Sequence, residues 1–489
     1  MALETFGSTG PLAGEVRVPG DKSISHRALI LAALADGPSR VDGLATGADV
    51  GSTITCLERL GVRVSQGVVR PPRGGLRPPD GPLEAGNSGT TMRLLAGVLA
   101  GQPFRSTLDG DASLRRRPMA RVAHPLRSMG AEVAARPADG GDGETAPLQI
   151  RGPLPPGPLT ARVHQLAVAS AQVKTCLLLA GLHAAGRTTV IEPLPSRDHT
   201  ERLLRVFGVV VADGGRLLCG GVTPGAEADP VGRASSTVGW AVSVESDGRP
   251  LLHPVELTVP GDFSSAAFWI VAGLLLPGSA LRLAGVGVNP TRTGLLAVLA
   301  RMGAGRAVAL EGLPEAGGAG GGAGTGGGAG AGEPVADIVV RGLEPARARR
   351  GSVPGVLRAT LVPAAEVPSL IDEVPILAVA ATQAEGVTVI EGAGELRAKE
   401  TDRLDALAGE LGRMGAHIEA GPDRLVITGP TRLHPARVSA RGDHRMAMAL
   451  AVAGLLTRPV DGRQTEVAGF ETAGVSYPGF RRTLEELAS

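Results

Sequence analysis

Five times along these 489 residues a large hydrophobe is followed by glycine and then a small or β-branched hydrophobe. The five are Leu60-Gly61-Val62, Met129-Gly130-Ala131, Phe207-Gly208-Val209, Met302-Gly303-Ala304 and Met414-Gly415-Ala416. Each closes an amphipathic run, where glycine fits the left-handed position just past a helix. Ala/Leu-rich helices are expected upstream, beginning near Ser25, Thr90, Ser170, Ser264, Glu373 and Arg445. Short strands are expected between, among them Thr188–Ile191, Leu281–Leu283 and Val387–Ile390. The chain thus reads as one α/β unit written about six times, three per half, the sixth with a less clear ending. Its spacing is irregular, which excludes a strict-period solenoid. The best boundary is near Pro260-Gly261-Asp262, where the fourth unit opens after a polar stretch, Glu227–Asp247, without helical periodicity. Residues 316–332 are almost wholly Gly and Ala, and such a tract is expected to be a flexible surface insertion.

Lysine usage narrows the chemistry. Lys and Arg together number 49, yet only three are lysine: Lys22, Lys174 and Lys399. A chain that otherwise writes arginine keeps a compact ammonium where a point charge on phosphate or a transferable proton is needed. Compositional bias is the plain alternative. A net charge of +1 argues against a nucleic-acid footprint, and 2% aromatic residues leave few platforms for stacking bases. Cys56, Cys176 and Cys219 form no CxxC pair, and the nine histidines show no metal-type spacing, so no metal or disulfide framework is expected. Met1–Gly10 lacks a signal pattern, and the apolar run Phe268–Leu276 is cut by Pro277, short of a membrane span. A reducing, cytoplasmic compartment is the expectation.

Polar residues gather at the expected helix starts. Lys22, Ser23 and Arg27 enter the first, Asn87-Ser88-Gly89-Thr90-Thr91-Met92-Arg93 the second and Ser170-Ala171-Gln172 the third. Asp372-Glu373 opens the fifth and Asp443-His444-Arg445 the sixth. Free N–H groups make each start mildly attractive to anions. Ser264-Ser265 reads as ordinary capping. Capping does not explain Lys22 with Arg27, or Lys399 with Arg403, because a cation at a helix start opposes the dipole unless an anion binds there. Asp372, among cations, suits a base, and Glu400 beside Lys399 suits a proton donor or acceptor. A surface ion pair between Glu400 and Arg403 fits the same spacing. No GxxxxGK, GxSxG or Cys/His nucleophile pattern is present.

Three motifs, Asn87-Ser-Gly-Thr-Thr-Met-Arg93, Lys399-Glu-Thr-Asp-Arg-Leu404 and Asp443-His-Arg-Met-Ala-Met448, together with Lys22-Ser-Ile-Ser-His-Arg27, occur in an order that resembles the 5-enolpyruvylshikimate-3-phosphate synthase family. The resemblance covers nearly the whole chain. It implies an α/β (α+β) fold of two similar domains, each of three βαβαββ units, in an inverse-barrel arrangement. The lobes expected are residues 1–20 with 261–489, and 21–260. It implies transfer of the enolpyruvyl group of phosphoenolpyruvate to 3-phosphoshikimate, without cofactor or metal, by a monomer. By the same resemblance, 3-phosphoshikimate would be held by Lys22, Ser23, Arg27, Ser170, Ala171, Gln172, Ser196, Arg197, Asp372 and Lys399. Phosphoenolpyruvate would be held by Lys22, Gly89, Arg117, Gln172, Arg403 and Arg445. Asp372 would deprotonate the attacking hydroxyl, Glu400 would protonate the methylene carbon, and Lys22 would assist as an acid.

Some positions depart from the family's pattern. Val475 stands where many members carry lysine, Ala171 and Glu395 suit one subgroup better than the other, and Leu94 replaces a common proline. Two rival readings follow from the same residues. A UDP-N-acetylglucosamine enolpyruvyl transferase would carry Asn after Lys22 and a Cys within Gly110–Pro118, but Ser23 follows and the loop has none. A non-enzymatic polyanion-binding repeat protein would explain the cations but not Asp372 and Glu400.

Overall fold

The computed structural model describes residues 3–138, 143–219, 237–313, 332–344, 357–459 and 462–488. Of the Gly/Ala tract 316–332, all but Gly332 lies outside these residues, as do residues 227–236 of the polar stretch and the side chain of Cys219. Among the described residues the α-helices are, in chain order, α1 (Lys22–Leu34), α2 (Ala48–Arg59), α3 (Gly89–Leu99), α4 (Ala120–Ser128), α5 (Ala171–Gly181) and α6 (His199–Val206). They continue as α7 (Phe263–Leu275), α8 (Gly294–Leu299), α9 (Val374–Thr382), α10 (Arg403–Arg413), α11 (His444–Leu455) and α12 (Phe480–Leu487). No helix among the described residues is long and apolar enough to cross a membrane.

Helices α7, α9 and α11 differ from α10 as their sequences dictate. Every residue of α7, α9 and α11 is buried, as all-round apolar composition requires. In α10, charged and apolar residues share the helix, and only the apolar stripe with Arg403 and Glu410 is buried. The five closing glycines all adopt positive φ: Gly61 89°, Gly130 97°, Gly208 85°, Gly303 100° and Gly415 92°. Four of the closures share one bond from the residue after glycine back into the last helical turn. Val62 N donates to Leu57 O, Ala131 N to Leu126 O, Val209 N to Leu204 O and Ala416 N to Leu411 O, at 2.8–3.2 Å. This satisfies a carbonyl the helix end would otherwise leave bare.

Two compact units result: Met1–Ser25 with Val41–Gly51 and Leu257–Ser489, and His26–Arg40 with Ser52–Glu256. The sheets repeat one plan, in which a short strand, a buried helix and a longer strand form a parallel pair and two antiparallel strands follow. In the second unit Leu83–Glu84, Ser106–Asp109, Glu144–Arg151 and Glu132–Pro137 follow it, as do Leu159–Thr160, Ala184–Glu192, Thr237–Asp247 and Val211–Cys219. In the first unit Leu357–Arg358, Ala384–Glu391, Arg424–Gly429 and His417–Ala420 repeat it. Residues from the N-terminus complete two further sheets there. Ala13–Val16 runs parallel to Ala280–Gly287, and Leu3–Phe6 antiparallel to Thr465–Ala468.

Aromatic residues, scarce overall, concentrate in the first unit's core. Trp269 stacks on Phe480 at 4.6 Å between centroids, and Tyr477 meets both edge-on. The second unit holds a buried His183 whose ring lies against Gly101, where an added Cβ would stand 2.3 Å from Cγ. Burial lowers the His183 pKa to about 4. The unfolded chain therefore binds a proton between pH 4 and about 6.5 that the folded chain refuses. Stability from this group is complete above about 6.5, falls as pH drops, and levels off near 4, a difference of about 3 kcal/mol. Denaturant unfolding of the protein and its His183→Leu variant between pH 4 and 7 measures it, and the variant should show the shallower dependence.

Candidate active site

In the first unit the starts of α1 and α7 lie side by side. Gly20 and Gly261 form an antiparallel bridge, Asp21 N donates to Pro260 O at 2.7 Å, and Asp262 N donates to Pro19 O at 2.8 Å. Glycine is required at position 20, because a Cβ there would fall 1.8 Å from Gly43 O. Asp21 Oδ1 accepts from Ile24 N and Asp262 Oδ1 from Ser264 N, so each aspartate caps its helix. One guanidinium serves both: Arg292 reaches Asp21 Oδ2 at 3.3 Å and Asp262 Oδ1 at 2.8 Å, and donates to Ser264 Oγ at 2.7 Å and Ser23 Oγ at 3.5 Å. Lys22, the next residue on, pairs through Nζ with Asp49 at 2.9 Å.

A second buried guanidinium collects the acids singled out by sequence. Arg403, 1% exposed, donates to Asp443 Oδ2 at 2.7 Å, Glu400 Oε2 at 2.8 Å and Asp372 Oδ1 at 3.4 Å. Burial works against its charge, but Asp443, Glu400 and Asp372 outweigh that and raise its pKa. Asp443 also caps α11, accepting from Arg445 N at 2.8 Å. Arg445 in turn reaches Asp372 Oδ2 at 3.4 Å and donates to the Asp372 carbonyl at 3.2 Å. Between these groups His444 is held neutral, its pKa pushed well below 6.5 by burial and then by Lys22 and Arg445. Lys399 follows the short turn Gly394–Ala398 and is half-buried beside Glu400. Lys22, Asp372, Lys399, Glu400, Arg403 and Arg445 thus form one neighbourhood of the first unit.

The second unit carries a matching network on α3 and α5, packed so closely that a Cβ on Gly97 would stand 2.1 Å from Cys176 O. Gln172 accepts from Arg93 Nη1 at 2.6 Å and donates to Thr90 Oγ1 at 3.0 Å. Gly89 begins α3 beneath two cations: an added Cβ would meet Arg93 Nη1 at 2.7 Å and Arg117 Nη1 at 3.2 Å. Arg117 is oriented by Asn87 Oδ1. Arg27 donates to Thr200 Oγ1 at 2.7 Å and Thr175 Oγ1 at 2.9 Å, tying α1 to α5 and α6. Ser170 caps α5, Ala171 is its first residue, Ser196 is buried and Arg197 half-buried in the loop before α6.

Four expectations change. The anions that compensate Lys22, Arg403 and Arg445 here are the protein's own carboxylates, packed close because these helix starts converge. The Glu400–Arg403 pair exists but is buried on the arginine side, not a surface pair. Asp262, not Ser264 or Ser265, caps α7, and Ser264 spends its hydroxyl on Glu373. Lys174 is 3% exposed between Glu192 and Glu201, at 2.9 and 2.7 Å, and spends its charge on these carboxylates rather than on a phosphate. Residues given no role by sequence reasoning are Asp21, Asp49, Asp262, Arg292 and Glu192, while Arg93 is named only as part of a motif. The matched triplets Pro19-Gly20-Asp21 and Pro260-Gly261-Asp262 could have revealed the two caps; Arg292 has no such signal.

Comparison with known proteins gives the family. The family model for EPSP synthase (3-phosphoshikimate 1-carboxyvinyltransferase) matches residues 7–243 and 230–484. A 3-phosphoshikimate 1-carboxyvinyltransferase of Gloeobacter violaceus is 48% identical over 97% of this chain and 96% of its own length. One of a Synechococcus species is 46% identical over 100% and 99%. The solved EPSP synthase of Acinetobacter baumannii superimposes with a TM-score of 0.75 at 35% identity, covering 99% of this chain and 98% of the other. The enolpyruvyl transferase NikO of Streptomyces tendae, at 19% identity and a TM-score of 0.67, shares the fold. With motifs, mixed α/β architecture and full-length relatives in accord, the chain belongs to the EPSP synthase family of 3-phosphoshikimate 1-carboxyvinyltransferases.

Proposed function

We propose that the residue sets of both units serve the family's one reaction in this chain. The enzyme transfers the enolpyruvyl group of phosphoenolpyruvate to the 5-hydroxyl of 3-phosphoshikimate, releasing phosphate and yielding 5-enolpyruvylshikimate 3-phosphate. Glu400 gives a proton to the methylene carbon C3, leaving C2 cationic. The 5-hydroxyl oxygen bonds to C2 and its proton passes to Asp372. The C2–O bond to phosphate then breaks with Lys22 as acid, and the Glu400 carboxylate takes a proton back from C3, restoring the vinyl group. The observation that carries this reading is the full-length family match. The shared arginine supports the roles: Arg403 holds both carboxylates in one cluster.

Two polyanions must approach one another, and each unit-charge pair at 4 Å repels by about 4 kcal/mol at an effective dielectric of 20. Lys22, Arg117, Arg403 and Arg445 offset that for phosphoenolpyruvate; Ser23, Arg27, Ser170, Ala171, Gln172, Ser196, Arg197 and Lys399 hold 3-phosphoshikimate. The two lobes act as one monomer in the cytoplasm, where both phosphorylated metabolites are at hand. Phosphate release from phosphoenolpyruvate tests the substrate: it should require 3-phosphoshikimate. Release with UDP-N-acetylglucosamine instead, or with neither acceptor, rejects the reading.

Gly89 gives a further test. In Gly89→Ala the new methyl pushes the ends of Arg93 and Arg117, which are flexible enough for the chain to fold with both cations displaced. The KM for phosphoenolpyruvate should rise about tenfold, as misplacement by a fraction of an ångström implies, with that for 3-phosphoshikimate changed less. Equal changes in the two would remove Gly89 from the phosphoenolpyruvate set.

A further inference from the structure

Beneath two of the residues assigned to 3-phosphoshikimate, Ser170 and Ser196, lies a buried group that the reaction does not use. Glu192 ends the strand Ala184–Glu192 and is 2% exposed. Its two oxygens are divided between two segments. Oε1 accepts from Ser170 N at 3.0 Å, at the cap of α5. Oε2 accepts from Ser196 Oγ at 2.8 Å and from Ser196 N at 3.4 Å, in the loop before α6. One carboxylate therefore sets the separation of Ser170 and Ser196, two residues that no element of secondary structure joins directly.

Lys174 holds that carboxylate in place. Its ammonium lies 2.9 Å from Glu192 Oε2 and 2.7 Å from Glu201 Oε1, and donates to Ser196 O at 3.4 Å. Three acceptors surround three protons, so the lysine has none left to offer a ligand. Its three protons spread tetrahedrally from one nitrogen, whereas a guanidinium spreads its donors in a plane, as Arg403 does, which accounts for a lysine here in a chain that favours arginine. The positive charge also prevents Glu192 from standing as a bare anion next to a phosphate.

The Ser196 hydroxyl has one proton, and it points to Glu192. To bind a phosphate oxygen it must rotate that proton outward, and the carboxylate it leaves remains covered by Lys174. We propose that Glu192, held by Lys174, is a positioning residue for 3-phosphoshikimate, spacing Ser170 and Ser196 to receive the phosphate and accepting the Ser196 proton until the phosphate takes it. This rests on the assignment of Ser170 and Ser196 to 3-phosphoshikimate given above.

Glu192→Asp keeps the charge that Lys174 needs but shortens the arm, so it cannot reach both segments. Its KM for 3-phosphoshikimate should rise at least about tenfold, as loss of one charge-assisted hydrogen bond implies, with the KM for phosphoenolpyruvate within about twofold. The kcat at saturation should stay near that of the unaltered enzyme, while the melting temperature falls by a few degrees, as a shortened carboxylate in a buried ion cluster implies. Glu192→Gln, of the same shape, makes the same comparison through a different chemical change. Adding Ser196→Ala to Glu192→Asp should cost less than the two single effects combined, because both act on one contact. An unchanged KM for 3-phosphoshikimate, equal rises in both KM values, or fully additive effects would overturn the proposal while leaving the reaction intact. Absence of phosphate release by the unaltered enzyme with 3-phosphoshikimate would overturn the functional reading and this proposal with it.

Discussion

Asp372→Asn and Glu400→Gln each lower kcat by a factor of about 10²–10⁴, the usual worth of a placed proton donor or acceptor. Both replacements keep the size of the side chain and an oxygen that can accept from Arg403. Asp443 remains as the closest partner of that guanidinium, at 2.7 Å, so the buried charge is not abandoned. Substrate affinity should therefore change far less than turnover. Steady-state phosphate release gives kcat, and calorimetric titration with 3-phosphoshikimate shows whether binding persists. Full turnover in both variants would remove these carboxylates from the proton transfers. A loss of binding that matches the loss of turnover would recast them as ligands alone.

Arg292→Met destabilises the first unit by about 3–5 kcal/mol, the usual result of breaking a buried ion cluster by deleting one partner. Methionine fills much of the volume but leaves Asp21 and Asp262 facing one another, both buried and without their shared cation. Burial and then the neighbouring Asp21 already raise the Asp262 pKa with Arg292 present. Without it, one of the two carboxyls should take up a proton on folding. The melting temperature should fall by several degrees, and more at pH 8 than at pH 5, since protonation is harder at the higher pH. A calorimetric scan at both values measures this. An unchanged melting temperature would show that the cluster contributes nothing to stability.

The repeat was legible because it is carried by local chemistry. A hydrophobe-Gly-hydrophobe closure marks a helix end wherever it occurs, and all five marked glycines adopt the positive φ that this requires. The buried helices were legible from their unbroken apolar composition, although α1 begins at Lys22, three residues before the expected start. Arg445, Arg403 and Glu400 stood out as charged residues where a helix start alone would not select them. Asp49 and Glu192 did not stand out, since nothing in their neighbours distinguishes a carboxylate that will meet a lysine from one facing solvent. Lys174 stood out for the wrong reason: its rarity marks a tetrahedral donor set, here filled by two glutamates and a carbonyl.

From sequence alone came the α/β class, the sixfold repeat, the family and the residues that bear charge, because periodicity, glycine placement and motif order are properties of short segments. Tertiary structure alone decided which charge meets which. Arg403 draws together Asp372, Glu400 and Asp443 from three separate segments, and Arg292 joins two helix starts that lie 241 positions apart between Asp21 and Asp262. Electrostatic partners are selected by distance in space and by exclusion of water, and neither quantity is written in the order of residues along a chain.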